Sequence, residues 1–232
     1  MYFYNYNIIL NAIKNKGSDL KYAHNYFKNN YNIVLTAVQQ DGCNLIFAHD
    51  NLKNNIDIVM TAVQKTGYAL KYANINLKNN YDIVLSAVKE NGYALKYASD
   101  NLKNNYNIVL EAVKNYGCAL QYASYDLKND YNIAINAITQ DYCALKYISM
   151  KLKNDEKFIL KSILINYYSI ILIPDRFKKN RKMILNIKKS KIILNNKYYY
   201  DYNKIMFNKN IDLKFNFTNY KINNFLKIIE HF

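Results

Sequence analysis

Two histidines, His24 and His49, occupy matching places 25 residues apart, and imidazole is the side chain best suited to hold a metal ion or move a proton near neutral pH. Equivalent atoms in neighbouring helical units lie about 10 Å apart, too far to share one ion. The next matching place holds Asn74, and no carboxylate or cysteine completes a ligand set. Cys43, Cys118 and Cys143 also share one slot, which reads as a small packing position in a reducing compartment. Asp50, Asp100 and Asp126 pair with no histidine, serine or cysteine at a spacing suited to acid–base or nucleophilic work. All five glycines stand at one repeating position, so none forms a phosphate-cradling loop. The reading is of a non-enzyme, with no catalytic, cofactor-binding or metal-ligating residues and no cofactor.

Two columns are better suited to binding. Tyr22, Phe47, Tyr72, Tyr97, Tyr122 and Tyr147 form an aromatic series, and Lys28, Lys53, Lys78, Lys103, Lys128 and Lys153 a basic one. Tyrosines in register could stack bases, with lysines on the phosphates. They could equally be ridges packed between units, the lysines balanced by acids such as Asp100. A third basic set, Arg176, Lys178, Lys179, Arg181, Lys182, Lys188, Lys189 and Lys191, is interleaved with Phe177, Met183, Ile184, Leu185 and Ile187. As a helix it would present a surface to phosphate backbones or anionic lipid; otherwise it is a solubilising cap.

The elements that position these residues repeat every 25 residues, as Gly17, Gly42, Gly67, Gly92 and Gly117 show. A period in this range signals stacked supersecondary units, each covering its neighbour's apolar face. In one unit, Asn79 and Asn80 offer caps to a first helix, with Asp82 in its first turn. Ile83, Val84, Leu85, Ala87 and Val88 are too wide an apolar set for one stripe. Asn91-Gly92 is expected to end this helix through a left-handed glycine. A second helix is expected from about Tyr93 to Lys103, and Ser99-Asp100 could interrupt it to cap a short final turn. Six copies are clear, a seventh near Asp155–Tyr167 lacks glycine, and an eighth starts near Phe177. The period ends beyond Leu194.

The block LKNNYDIVLSAVKENGYALKYAS resembles the tandem repeats grouped as domain of unknown function 4116, whose members carry strings close to LKND, VVLAAVKQNG and ALQYAS. The resemblance covers about residues 5–165. It implies a helical repeat and supplies no functional residues to carry over. Tyr142 and Tyr167, standing where glycine is expected, and the tail beyond Leu194 depart from it.

The expected fold is all-α: an α-solenoid of tandem 25-residue helix hairpins over residues 1–175, with a basic C-terminal cap region at 176–232. Charge supports the division. Residues 1–155 carry 16 lysines against 12 acids, a net +4, whereas 156–232 carry 16 basic residues against 5 acids, a net +11. The most apolar stretch, Ile163–Ile173, is too short to span a bilayer, and no leader segment is evident at Met1. A cytoplasmic monomer is expected. Its leading function is a protein–protein interaction scaffold, specialised at variable slots such as His24, His49, Asn74, Ser99, Ser124, Thr36, Thr61, Ser86 and Glu111. Nucleic-acid binding through the basic tail is the alternative.

Overall fold

The computed structural model describes residues 5–180, and the chain divides into two compact units, residues 1–147 and 148–232. Every described regular element is helical, so the fold is all-α, built from repeats of 25 residues.

Each repeat in the first unit opens with a ten-residue α-helix: Tyr6–Asn15, Tyr31–Gln40, Ile56–Lys65, Tyr81–Glu90, Tyr106–Asn115 and Tyr131–Gln140. The asparagines before them are caps. Asn80 Oδ1 accepts from the Ile83 amide at 3.1 Å, and Asn30, Asn55 and Asn105 do the same in their repeats. Such a cap is worth about 1 kcal/mol. The wide apolar face is buried on two sides: Ile83, Val84, Ala87 and Val88 are all fully inaccessible, as are their counterparts in repeats two to five. Successive long helices pack against one another and against the segments that follow them.

The second half of the repeat is not one helix. A 3₁₀ segment, Gly92–Tyr97 in the fourth repeat, is followed by a break at Ala98, with φ −64° and ψ 158°, and then by a single α-turn, Asp100–Lys103. Ser99 caps that turn, its Oγ accepting from the Leu102 amide. The interruption that Ser99-Asp100 left open is therefore realised in the structure. Lys96 and Lys103 consequently stand on different elements.

The glycines correct a sequence expectation. No described residue, glycine included, has a positive φ. The long helix ends because Asn91 is extended, at φ −146°, while its Oδ1 caps Tyr93. Glycine is needed for closeness. A Cβ on Gly42, Gly67, Gly92 or Gly117 would drive into the backbone carbonyl oxygen of Ala62, Ala87, Ala112 or Ala137, in the next long helix.

Polar ties reinforce this contact. The Gly17 amide donates to Gln40 Oε1 at 2.7 Å, Gly92 to Asn115 Oδ1 at 2.7 Å and Gly117 to Gln140 Oε1; Gly67 donates to Glu90. The amide side chains also donate backwards, Gln40 to the Ile13 carbonyl at 2.6 Å and Asn115 to that of Lys89 at 3.0 Å. One side chain thus satisfies an end group on two elements of the preceding repeat. Lys65 holds this slot in the third repeat, and an ammonium cannot accept from Gly42. A backbone ladder links the short turns, with the amides of His49, Asn74, Ser99 and Ser124 donating to the carbonyls of Lys28, Lys53, Lys78 and Lys103 at 2.8–2.9 Å.

Within the second unit, the glycine-less seventh repeat keeps all three elements: Glu156–Ile165, Tyr167–Ile171 and Asp175–Lys178. Among the described residues no helix is long and apolar enough to cross a membrane.

Candidate functional site

The 3₁₀ segments place two side-chain slots of each repeat beside those of the next. Tyr68 and Tyr93, in the slot after the glycine, are stacked with ring centroids 6.2 Å apart and planes 19° from parallel. Tyr97 meets Tyr68 edge-on at 5.3 Å, and Tyr122 meets Tyr93 edge-on at 5.4 Å. In a 3₁₀ segment residues three apart eclipse, which sets Lys71 beside Tyr68 and Lys96 beside Tyr93.

Two lysines complete the ribbon. Lys71 Nζ donates to Tyr68 Oη at 3.2 Å and lies 5.4 Å from the ring centres of both Tyr68 and Tyr72. Lys96 Nζ donates to Tyr93 Oη at 3.0 Å and lies 5.3 Å from the Tyr93 ring centre and 6.0 Å from that of Tyr122. An ammonium that donates to a phenol and lies within about 6 Å of aromatic ring centres is held electrostatically at the surface. Two equivalent stations result: Tyr68, Lys71 and Tyr97, then Tyr93, Lys96 and Tyr122. The flanking repeats lack one, carrying Cys43 with Ile46 and Cys118 with Gln121.

The phenols divide electrostatically. Hydrogen bonding from Tyr97 and Lys71 lowers the Tyr68 pKa below its ordinary value, and hydrogen bonding from Lys96 and Tyr122 does the same for Tyr93. Burial, with hydrogen bonding to Tyr68 and Tyr93 respectively, pushes Tyr97 and Tyr122 far upward. An alkaline titration followed by phenolate absorbance should therefore be split, with Tyr68 and Tyr93 ionising before Tyr97 and Tyr122. The stabilising contribution of the lowered pair is present above the ordinary phenol value, near 10, and is lost as pH falls through their folded values. That of the raised pair is present below about 10 and is lost as pH climbs toward their folded values. Thermal stability should rise slightly on approaching that pH and fall beyond it. The Y97F/Y122F double variant should lessen the fall, to which buried Tyr116 also contributes, and return Tyr68 and Tyr93 toward ordinary titration; a parent-minus-variant difference curve with no late-ionising component would contradict the geometry.

The remaining sequence candidates have structural roles. His24 and His49 are helix caps, each Nδ1 accepting at 3.2 Å from the amide two residues on, Tyr26 and Asn51. Asn74, Ser99 and Ser124 cap in the same slot, so its variety stays within cap-forming residue types. Thr36 and Thr61 bond back to the carbonyls of Asn32 and Asp57, and Glu111 pairs with Lys114. The lysine column lies on the short turns, with the carbonyls of Lys28, Lys53, Lys78 and Lys103 in the backbone ladder. Lys53 and Lys103 pair with Asp50 and Asp100, while burial lowers the pKa of Lys78, Lys128 and Lys153. The lysines beside the aromatic rings are instead Lys21, Lys71 and Lys96, one residue before the aromatic column. Of the aromatic column, Tyr72, Tyr97 and Tyr122 join the ribbon, whereas Tyr22 is 71% exposed.

Burial raises the pKa of all three cysteines, and Cys118, the buried one, is pushed up to about 12 by burial and nearby Asp141. They are held as thiols, the less nucleophilic form. Among the described residues no group of three His, Cys, Asp or Glu could hold a metal ion.

The basic tail set is only partly within the described residues. Arg176 donates to the Asn154 carbonyl at 3.1 Å and to its Oδ1 at 2.6 Å, and its guanidinium lies 4.6 Å from the Phe177 ring centre. Lys178 pairs with Asp175 at 2.9 Å, and Lys179 is exposed. Arg181, Lys182, Lys188, Lys189 and Lys191 lie outside the described residues.

The model of the family described as domain of unknown function (DUF4116) matches six overlapping stretches, residues 5–53, 31–78, 55–103, 80–128, 105–153 and 130–178. No match was found among curated proteins or among solved structures. Each stretch spans about two of the 25-residue units, as expected if the recognisable feature is a repeat together with the neighbour it packs on. With matches running from residue 5 to 178, the chain belongs to the DUF4116 family.

Proposed function

We propose that the protein is a non-catalytic helical-repeat scaffold that binds another protein through the face formed by its 3₁₀ segments. The observation that carries this reading is the tyrosine–lysine ribbon of Tyr68, Tyr93, Tyr97, Tyr122, Lys71 and Lys96. The repeats on either side stack on the same buried slots without it, so the fold does not require this constellation. Tyrosine is enriched at protein interfaces, where it offers a large rigid contact area together with a polar end. The histidines engaged as caps and the thiols held protonated support a binding role over a chemical one.

Affinity capture with the full chain, compared with the K71Q/K96Q/Y97A/Y122A variant, tests the assignment. A set of proteins retained by the parent and lost by the variant is expected. A capture list that the variant leaves unchanged would sink it. Nucleic-acid binding is the competing result. Oligonucleotide affinity that falls steeply with salt, and disappears in the K179Q/R181Q/K182Q/K188Q/K189Q/K191Q variant, would establish the tail as the functional surface instead.

A further inference from the structure

We infer that the ribbon is a two-station receptor for an extended acidic segment of the partner protein, with carboxylates at alternate residues; this rests on the scaffold reading above. Each station has the same parts in the same arrangement. A lysine is fixed over aromatic rings and donates to a phenol, and a second phenol comes from the next repeat. A fixed ammonium beside phenol hydroxyls supplies the donors that a carboxylate oxygen accepts. The charge is presented in advance, which reduces the side-chain ordering otherwise required on binding.

The spacing of the stations matches an extended ligand. The stations repeat at 6.2 Å, measured between the ring centres of Tyr68 and Tyr93. Residues i and i+2 of an extended chain lie on one face and are separated by about 6.7 Å. A helix also brings same-face neighbours within about 5–6 Å, but a Gly/Ser octapeptide does not hold a helix, so a Glu-x-Glu preference in such a peptide reports the extended form. Single-stranded nucleic acid fits less well. Base stacking needs open aromatic faces. Here Tyr68 and Tyr93 are stacked on each other, and each also meets a second ring, Tyr97 or Tyr122, at nearly a right angle. Glu90, the nearest carboxylate along the chain to Lys96 on the long-helix side, is bonded to the Gly67 amide.

The test uses the full chain and labelled, end-blocked Gly/Ser octapeptides carrying Glu-x-Glu, Glu-Glu or Gln-x-Gln, with an octathymidylate as the nucleic-acid probe. Fluorescence polarisation should show Glu-x-Glu bound about ten-fold more tightly than Gln-x-Gln, a difference of one charged station or more. Glu-Glu should fall between them, and affinity should weaken with salt. K71Q and K96Q should each lose part of the preference and the double variant all of it. Both lysines are exposed, so circular dichroism of the variants should match the parent. Equal binding of Glu-x-Glu by parent and double variant would overturn the inference, as would no preference for Glu-x-Glu in the parent. Octathymidylate binding that outcompetes the peptide and depends on the same lysines would also overturn it. The scaffold reading fails separately: captured partners that survive K71Q/K96Q but are lost with Y97A/Y122A would sink only the acidic-segment inference.

Discussion

Replacing Gly92 with alanine is expected to destabilise the first unit by about 3 kcal/mol, the upper end of the cost of an over-packed core. The added methyl would be directed at the backbone carbonyl oxygen of Ala112, and Tyr116 closes the site with its backbone nitrogen and Cβ, both 2.9 Å from the new atom. Backbone on two sides leaves no flexible end to swing away. Relief would require the fourth and fifth repeats to separate, and the Gly92–Asn115 hydrogen bond would loosen with them. Gly17 is the internal control. There the nearest atom is the terminal Nδ2 of Asn44, at 2.7 Å, and the Ala37 carbonyl stands back at 3.0 Å. G17A should cost about 1 kcal/mol, the lower end of the same range. Urea unfolding of both variants, followed by circular dichroism, decides the matter; comparable costs would show that closeness is not the reason for glycine.

The second large effect is expected from Leu95→Ala. Leu95 is fully buried on the 3₁₀ segment, between its own long helix and the next, and its removal should cost about 3–5 kcal/mol through lost burial and the cavity left behind. Leu102, on the short turn and 8% exposed, is closer to solvent, and its truncation should cost about 2 kcal/mol. The distribution of the damage is as informative as its size. Each repeat in the first unit touches mainly its immediate neighbours, so stability is a sum of local terms. Hydrogen exchange of L95A should show the long helices Tyr81–Glu90 and Tyr106–Asn115 opening first, while Tyr31–Gln40 retains its protection. Uniform loss of protection across the first unit would contradict this local coupling.

The repeat, its caps and its buried slots were legible in the sequence because each rests on one-dimensional regularity. Asn80 precedes an apolar run, and Ile83, Val84, Ala87 and Val88 recur every 25 residues. The 3₁₀ segment was not legible. Leu95 and Ala98 are three apart, a spacing that an α-helix and a 3₁₀ helix share. The close approach of Gly92 to Ala112 was missed because glycine at a helix end ordinarily signals a left-handed residue. The ribbon escaped for a related reason. Its stations combine three slots from two repeats, whereas reading columns keeps each slot separate. Tyr68, Lys71 and Tyr97 belong to different columns and meet only after folding. Tyr97 was singled out with its column, but beside Lys103, which stands on another element.

The contact between each glycine and the alanine of the following long helix has an evolutionary consequence. A copy is shaped for whichever copy comes next, not for a particular successor. Excising residues 80–104 would leave Gly67 facing Ala112 in place of Ala87, and Asn115 in place of Glu90 as the acceptor for its amide. Loss or duplication of one whole period therefore rejoins like to like, whereas a change of one residue more or less puts a side chain where a backbone must pass. The gene can lengthen or shorten by whole copies without passing through a misfolded ancestor, and the ribbon can be gained, lost or moved along the stack as it does so.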